Sequence, residues 1–360
     1  MKKTVGIIIS IVIGIIALSI LGFCIFYNVN LKAVSNESIQ IDFMVDSGST
    51  YYGVISKLND EGLIRNELCF KLYIKFNSVG NIEAGTYKLN KNMSVSEIVE
   101  VFSNGNTYNP NAIVITFKEG KHMRSIANII SKYTNNTEDD VYKLINDKEY
   151  LNTLINEYWF IDKEILDSNI YYSLEGYLYP NTYEFTSKEV SVKEIFKTML
   201  DEMDKKLSTY KTDILSNKFT THEILTLASI IELEGAKSDD RKGIAGVFYN
   251  RLNTNQSLGS DVTTYYASKV EFSDRDLYQY EIDDANYYNT RSSHLAGKLP
   301  IGPICNPSIN SIEAVLYPKE HDYYYFVADV NGKTYFSKTY NEHISTRNDL
   351  IEAGLWYMYE

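Results

Sequence analysis

Proline is scarce in this sequence, six in 360 residues, and no stretch is low in complexity, which excludes long extended linkers. Cysteine is scarcer still. Cys24, Cys69 and Cys305 are an odd, widely spaced set that forms neither a disulfide framework nor a CxxC metal site. Histidine is thinly scattered, and the one suggestive neighbour pair, His222-Glu223, fails as an HExxH zinc motif because Thr226 stands at the second histidine position. No metal and no cofactor is expected. Basic charge is also short: Lys and Arg number 35 against 47 Asp and Glu, for a net charge of −12. With no basic cluster to offset it, this balance argues against nucleic-acid binding and against a polybasic lipid surface. No repeat at a solenoid period is present.

Hydrophobic residues, at 44% of the chain, suffice for real cores, and the length suits about two domains of roughly 100–200 residues. Tyrosine is abundant at 31 residues. Its flat apolar face and hydroxyl suit sugar stacking, but strand preference and overall composition account for the number without it. The run TVGIIISIVIGIIALSILGFCIFY, residues 4–27, has no charge. A bilayer core needs about 20 apolar residues, so the run predicts one membrane-spanning helix. Lys2 and Lys3 before it predict a cytoplasmic N-terminus and an extracellular remainder at the cell membrane. A cleaved signal would have an apolar region of only about 7–15 residues, and Phe23 before Cys24 does not fit a lipoprotein site.

Beyond the span, residues 28–38 read as a polar tether. IQIDFMV (39–45) alternates and predicts a strand. Helices are expected over residues 50–64 and near 66–76, then a return strand at Ala84–Leu89, then a helix opened by the capping box Ser94-Val95-Ser96-Glu97. Residues 39–107 are thus a small α+β module without an acid/base constellation of its own. A second, larger α+β domain is expected over 108–360. It begins with the strand AIVITF and a helix from about Met123 to Lys132, and residues 135–170 read as a polar helical insertion.

A carboxylic acid donates a proton near neutral pH only if its pKa is raised, most often by an apolar setting. The segment TTHEILTLASIIELEGAKSDD (220–240) offers such a group. Thr220 and Glu223 make a capping box and Gly235 a helix stop. The residues between are apolar on nearly every face, which predicts a buried helix. Glu234 falls over Ile230 and Ile231, whereas Glu232 falls over Ala228 and Ser229. Glu234 is on the more apolar stripe, and the negative end of the helix dipole raises its pKa again.

Seven segments, in order, are similar to one family. Ala228-Ser229-Ile230-Ile231-Glu232-Leu233-Glu234 resembles the A-S-I-[IV]-E-K-E signature of the MltG (YceG-like) endolytic murein transglycosylases. Glu175–Tyr183 resembles their E-G-x-x-x-P-D-T-[YW], and Gly246–Leu252 their V-F-x-N-R-L. Leu258 with Asp261-Val262-Thr263 resembles L-x-x-D-P-T, Tyr288-Asn289-Thr290 resembles Y-N-T-Y, Leu299–Ile304 resembles L-P-P-G-P-I, and Tyr324–Ala328 resembles Y-x-Y-F-V-A. The departures are Leu233 for lysine, Gly235 for threonine, Val262 for proline, Arg291 for tyrosine and Ile301 for proline.

The resemblance implies a lytic transglycosylase that cuts peptidoglycan glycan strands between MurNAc and GlcNAc, leaves 1,6-anhydro-MurNAc ends and terminates glycan elongation. It makes Glu234 the catalytic residue, with Glu232 and Glu175 as possible supports. Ser229, Asn250, Asp261, Tyr288, Asn289 and Thr290 become candidates for sugar contact. Each has a structural alternative: Asp261 as a helix cap, Asn289 as a turn residue, Asn250-Arg251 as a pin between two elements. Pro300, Pro303 and Pro307 are expected to stiffen a loop at the cleft rim. The resemblance further implies a LysM-like module over 39–107 and partners in the cell-wall synthesis machinery. A water-using glycosidase pairing Glu234 with Glu175 or Asp261, and a non-catalytic wall-binding scaffold, are the competing readings.

Overall fold

The structure is a computed structural model that describes residues 2–235 and 238–356. It is mixed α+β and divides into two compact units, residues 1–111 and 112–360.

The first unit opens with helix α1 (Lys2–Asn30), whose segment Thr4–Asn30 is apolar and long enough to cross a membrane. It continues as β1 (Gln40–Val45), α2 (Tyr51–Asp60), α3 (Glu67–Phe76), β2 (Gly85–Asn90) and α4 (Val95–Ser103). β1 and β2 pair antiparallel with Phe43 opposite Tyr87. An isolated two-stranded ribbon is marginal. Here the helices cover one face, and Phe43, Leu58, Phe70, Tyr87, Ile98 and Phe102 share one core. Thr50, Asn66 and Ser94 cap the three helices, Ser94 through the expected box with Glu97. Residues 28–38 are not a free tether. Leu31 packs on this core, and the Ala33 carbonyl accepts from Arg65 Nε at 2.8 Å.

The second unit begins with β3 (Ile113–Thr116) and α5 (Met123–Tyr133), followed by α6 (Glu138–Ile145), α7 (Lys148–Glu157), β4 (Thr182–Phe185), α8 (Val192–Ser208) and α9 (Lys211–Leu215). β3 pairs antiparallel with β4. Residues 135–170 are helical as expected, but Val141, Ile145, Leu151 and Leu154 enter the same core as α5 and α8, so this stretch is not a separate appendage. Polar residues outnumber apolar ones there because each short helix buries only one stripe.

The unit then runs through α10 (Thr221–Leu233), α11 (Ser238–Asn253), α12 (Asp261–Ser268), α13 (Gln279–Asp283) and α14 (Ile309–Leu316). It ends with β5 (Tyr325–Ala328), β6 (Thr334–Ser337) and α15 (Tyr340–Glu352). α10 is the hub. From Ile224 to Ile231 every side chain is buried, including Thr226 and Ser229. β5 and β6 pair antiparallel beside α11 and α15. The 299–307 loop lies deeper than the expected rim position: residues 302–308 are buried. Gly176 packs so tightly on it that a Cβ there would lie 2.4 Å from Pro303 Cβ.

Candidate active site

The capping box forms at the head of α10: Thr220 Oγ1 accepts from Glu223 N–H at 3.2 Å, and Glu223 Oε2 accepts from Thr220 N–H at 2.8 Å. At its tail Glu234 is the C-cap, one residue past Leu233, and Gly235 turns away at φ +67°. A side chain at such a φ is strained, so glycine is suited to this stop.

Glu234 lines a cleft of about 460 Å³. Ile244, Phe248 and Arg251, one face of α11, form one wall. Leu258 and the start of α12 form another, and β5 contributes Phe326. Ile230 and Ile231, the expected apolar neighbours, lie in the core instead of on this wall. The apolar setting is real, but other elements supply it. Burial is the main cause that pushes the Glu234 carboxyl up to about 7, with the Asp261 charge adding to it. The Ser260 hydrogen bond and the Arg251 cation pull the other way.

Ser260 Oγ donates to Glu234 Oε1 at 2.5 Å. Ser260 is itself fixed. Its N–H donates to Thr290 Oγ1 at 3.0 Å, its carbonyl accepts from Thr263 Oγ1 at 2.7 Å, and Gly259 N–H donates to the Thr290 carbonyl at 3.0 Å. Asn289 Oδ1 accepts from Thr264 Oγ1 at 2.7 Å, and its Nδ2 donates to the carbonyls of Ile282 and Asp284.

Several of the expected sugar contacts lie in the interior. Asn289 and Thr290 are fully buried: Thr290 braces Ser260, and Asn289 joins Thr264 to the 282–284 turn. Tyr288 is equally buried. It packs tilted against Tyr171 and edge-on against Tyr266, with ring centroids 4.8 and 4.9 Å away, and its hydroxyl accepts from Tyr171 N–H. Ser229 is buried as well, donating to the Thr226 carbonyl and accepting from Ile304 N–H, which ties the 299–307 loop to α10.

Asn250 is a pin, donating to the carbonyls of His321 and Tyr323 at 2.8 and 2.9 Å. Its neighbour Arg251 donates to the Tyr324 carbonyl at 2.7 Å and to the Leu258 carbonyl, and stands over the Tyr325 ring. Together they seat β5 on the cleft. Asp261 does line the cleft, ion-paired with Arg291 and largely exposed.

The two possible supporting carboxylates lie elsewhere. Glu232 is buried, paired with Arg241 at 2.9 Å and accepting from Ser308 N–H, Ser308 Oγ and Ser311 Oγ. With its lone pairs so occupied it is a structural tie between α10 and α14. Glu175 is also buried and not on the Glu234 cleft. It accepts from Met123 N–H at 2.9 Å and from the Tyr266 hydroxyl at 3.0 Å, and burial pushes it up to about 8. His222 is a core residue bridging the Tyr177 hydroxyl and the Ile301 carbonyl. Ser260 and Arg251, the groups closest in effect to Glu234, were not singled out from sequence. Ser260 stood in an unspecified position of its motif, and Arg251 read only as a pin.

The model of the YceG-like family matches residues 43–349. The chain belongs to the YceG-like family. Among YceG-like relatives, the endolytic murein transglycosylase of Bacillus subtilis is 35% identical over 326 residues, 90% of this chain and 88% of that one. The endolytic murein transglycosylase of Streptococcus pneumoniae is 32% identical over 86% of this chain, which spans 58% of that longer protein. The crystal structure of a putative YceG-like protein from Listeria monocytogenes superposes with a TM-score of 0.60 at 34% identity, covering 86% of this chain and all of that one.

Proposed function

We propose that this YceG-like protein is a membrane-anchored endolytic lytic transglycosylase of peptidoglycan, with Glu234 as its single acid/base group. The observation that carries the reading is one carboxyl, held near neutral pKa by burial, lining a cleft whose walls mix apolar side chains with polar ones such as Ser260 and Arg251.

Glu234, protonated, gives its proton to the glycosidic oxygen between MurNAc and GlcNAc as that bond breaks, and positive charge builds at C1 of MurNAc. The resulting Glu234 carboxylate takes the proton from the C6 hydroxyl of the same MurNAc. The freed oxygen closes on C1 to give the 1,6-anhydro end, and the proton is back where it began. Ser260 holds Oε1 in place throughout, and Arg251 faces the carboxylate in its ionised moment. No second carboxylate is needed. That suits a site in which Asp261 is committed to Arg291 and Glu175 lies outside the cleft, and it disfavours the paired-carboxylate hydrolase.

The orientation follows from Lys2 and Lys3: N-terminus in the cytoplasm, both folded units outside, where nascent strands lie. The β-α-α-β order of the first unit supports its reading as a LysM-like module. By family resemblance the enzyme ends strand elongation beside the synthesis machinery.

Mass spectrometry of peptidoglycan digested by the full-length protein tests the chemistry. Anhydro-MurNAc ends are expected from the native chain, with kcat at least about a hundredfold lower for Glu234→Gln. Hydrated ends alone, or full activity in Glu234→Gln, would overturn the reading.

A further inference from the structure

A second cleft of about 320 Å³ adjoins the first. Leu233, Val262 and Phe272 line both, so these side chains form a low ridge between them. Two of the three, Leu233 and Val262, are departures from the family pattern. The far side of the ridge carries two cations, Lys121 and Arg124, against one carboxylate, Glu271, while burial and Arg124 hold the His122 imidazole below its ordinary pKa, so it adds no positive charge. In a chain of net charge −12 this local reversal of sign is unexpected for a merely solvated surface.

Glu271 Oε1 accepts from His122 Nε2 at 2.8 Å and from Arg124 Nη2 at 2.9 Å, although its side chain is 48% exposed. Arg124 is better shielded, at 21% exposed, with the Tyr172 phenol and the Tyr266 ring beside it. Burial raises the nearby Glu175 carboxyl to about 8, which favours its neutral form. The acid paired with the guanidinium is thus Glu271, a half-exposed side chain on a surface loop. A guanidinium is shaped for two-point recognition of a carboxylate.

We propose that this second cleft receives a carboxylate of the peptide borne by the glycan strand, with Arg124 and Lys121 as its cationic partners and Glu271 as the internal group it displaces. The inference rests on the peptidoglycan reading above. A strand with its scissile bond at Glu234 crosses the Leu233–Val262–Phe272 ridge, and the peptide that leaves the MurNAc lactyl group enters the basic cleft. Phe272, 60% exposed, offers that strand an apolar face on the way.

The test compares three substrates with full-length protein in detergent: intact strands, strands whose peptide carboxylates are converted to amides, and strands stripped of peptide. In the native chain amidation raises KM by about tenfold, as loss of one charge-assisted interaction does. In Arg124→Gln the amidated-to-intact KM ratio falls toward one, Arg124→Lys restores part of it, and Lys121→Met, at an exposed position, lowers it in part. Glu271→Gln lowers KM on intact strands, a readout that does not depend on Arg124→Gln folding well. An unchanged ratio in Arg124→Gln, or an Arg124 effect confined to stripped strands, where the lactyl carboxylate is bare, would overturn the proposal. If no substrate yields anhydro ends, it is the transglycosylase reading that fails.

Discussion

At the scale of single residues, Glu234 and Ser260 set the pH behaviour. In the proposed mechanism Glu234 carries a proton to begin the reaction, and its pKa is raised to about 7, so kcat/KM is expected to fall as pH climbs through that value. The Ser260 hydroxyl stabilises the ionised form and lowers that pKa. Ser260→Ala is therefore expected to move the alkaline limb of the profile to higher pH while reducing kcat, because the carboxyl is no longer held. A limb that stays in place would mean that the hydroxyl does not tune Glu234.

The same shift has a stability consequence. A carboxyl whose pKa is higher folded than unfolded holds its proton more tightly in the native state, so folding weakens as pH rises from about 4.5 to 7. Glu234→Gln, which removes that penalty, should melt higher than the native chain at pH 8, and the gap should close at pH 4. Equal melting at both values would show the carboxyl to be well solvated. The helix that carries Glu234 was legible in the sequence, because its period, cap and stop all lie within one short segment. Ser260 and Arg251 were not, because their approach to Glu234 depends on how α11 and the 258–260 loop pack, which no local spacing encodes.

At the scale of elements, α10 is fixed at both ends by local chemistry and along its length by other elements. Glu232 ties it to α14 through Ser308 and Ser311, and to Arg241. Removing one member of a buried ion pair strands the other, at a cost of about 3–5 kcal/mol. Glu232→Ala is expected to lose that much in denaturant unfolding while the surviving folded fraction still forms anhydro ends. The contrasting variant, Glu234→Gln, is expected to keep its fold and lose the proposed chemistry. If Glu232→Ala keeps full stability, the tie between α10 and α14 is not what holds Glu232 in place. Capped helices such as α2, α3, α4 and α10 were readable because their caps are sequence-local. The motif Tyr288-Asn289-Thr290 was readable as a motif but not as buried. Polar residues that serve a neighbouring loop look, in one dimension, like polar residues that serve a ligand.

At the scale of the molecule, each of the two units has its own core, and the site lies wholly within residues 112–360. A chain lacking residues 2–30 is expected to leave the membrane fraction and remain in solution while still cutting purified strands. Continued sedimentation with membranes after the deletion would place the attachment outside α1. The apolar run of α1 was plain from composition alone, since nothing but length and lack of charge is required. The second cleft had no such signature: Lys121, Arg124 and Glu271 are brought together across about 150 positions of sequence only by the packing of α5 against the loop after α12.

An uncharged acid lining a solvent-reached hollow is also a chemical handle. Water-soluble carbodiimides activate carboxylic acids through their protonated form, so at pH 7 the many ionised surface acids of this chain are slow to react while Glu234 retains much of its proton. The trait that suits this side chain to the proposed sugar-bond cleavage thus marks it for selective covalent capture, and a nucleophilic fluorophore added with the reagent would label this cleft before the distant surface.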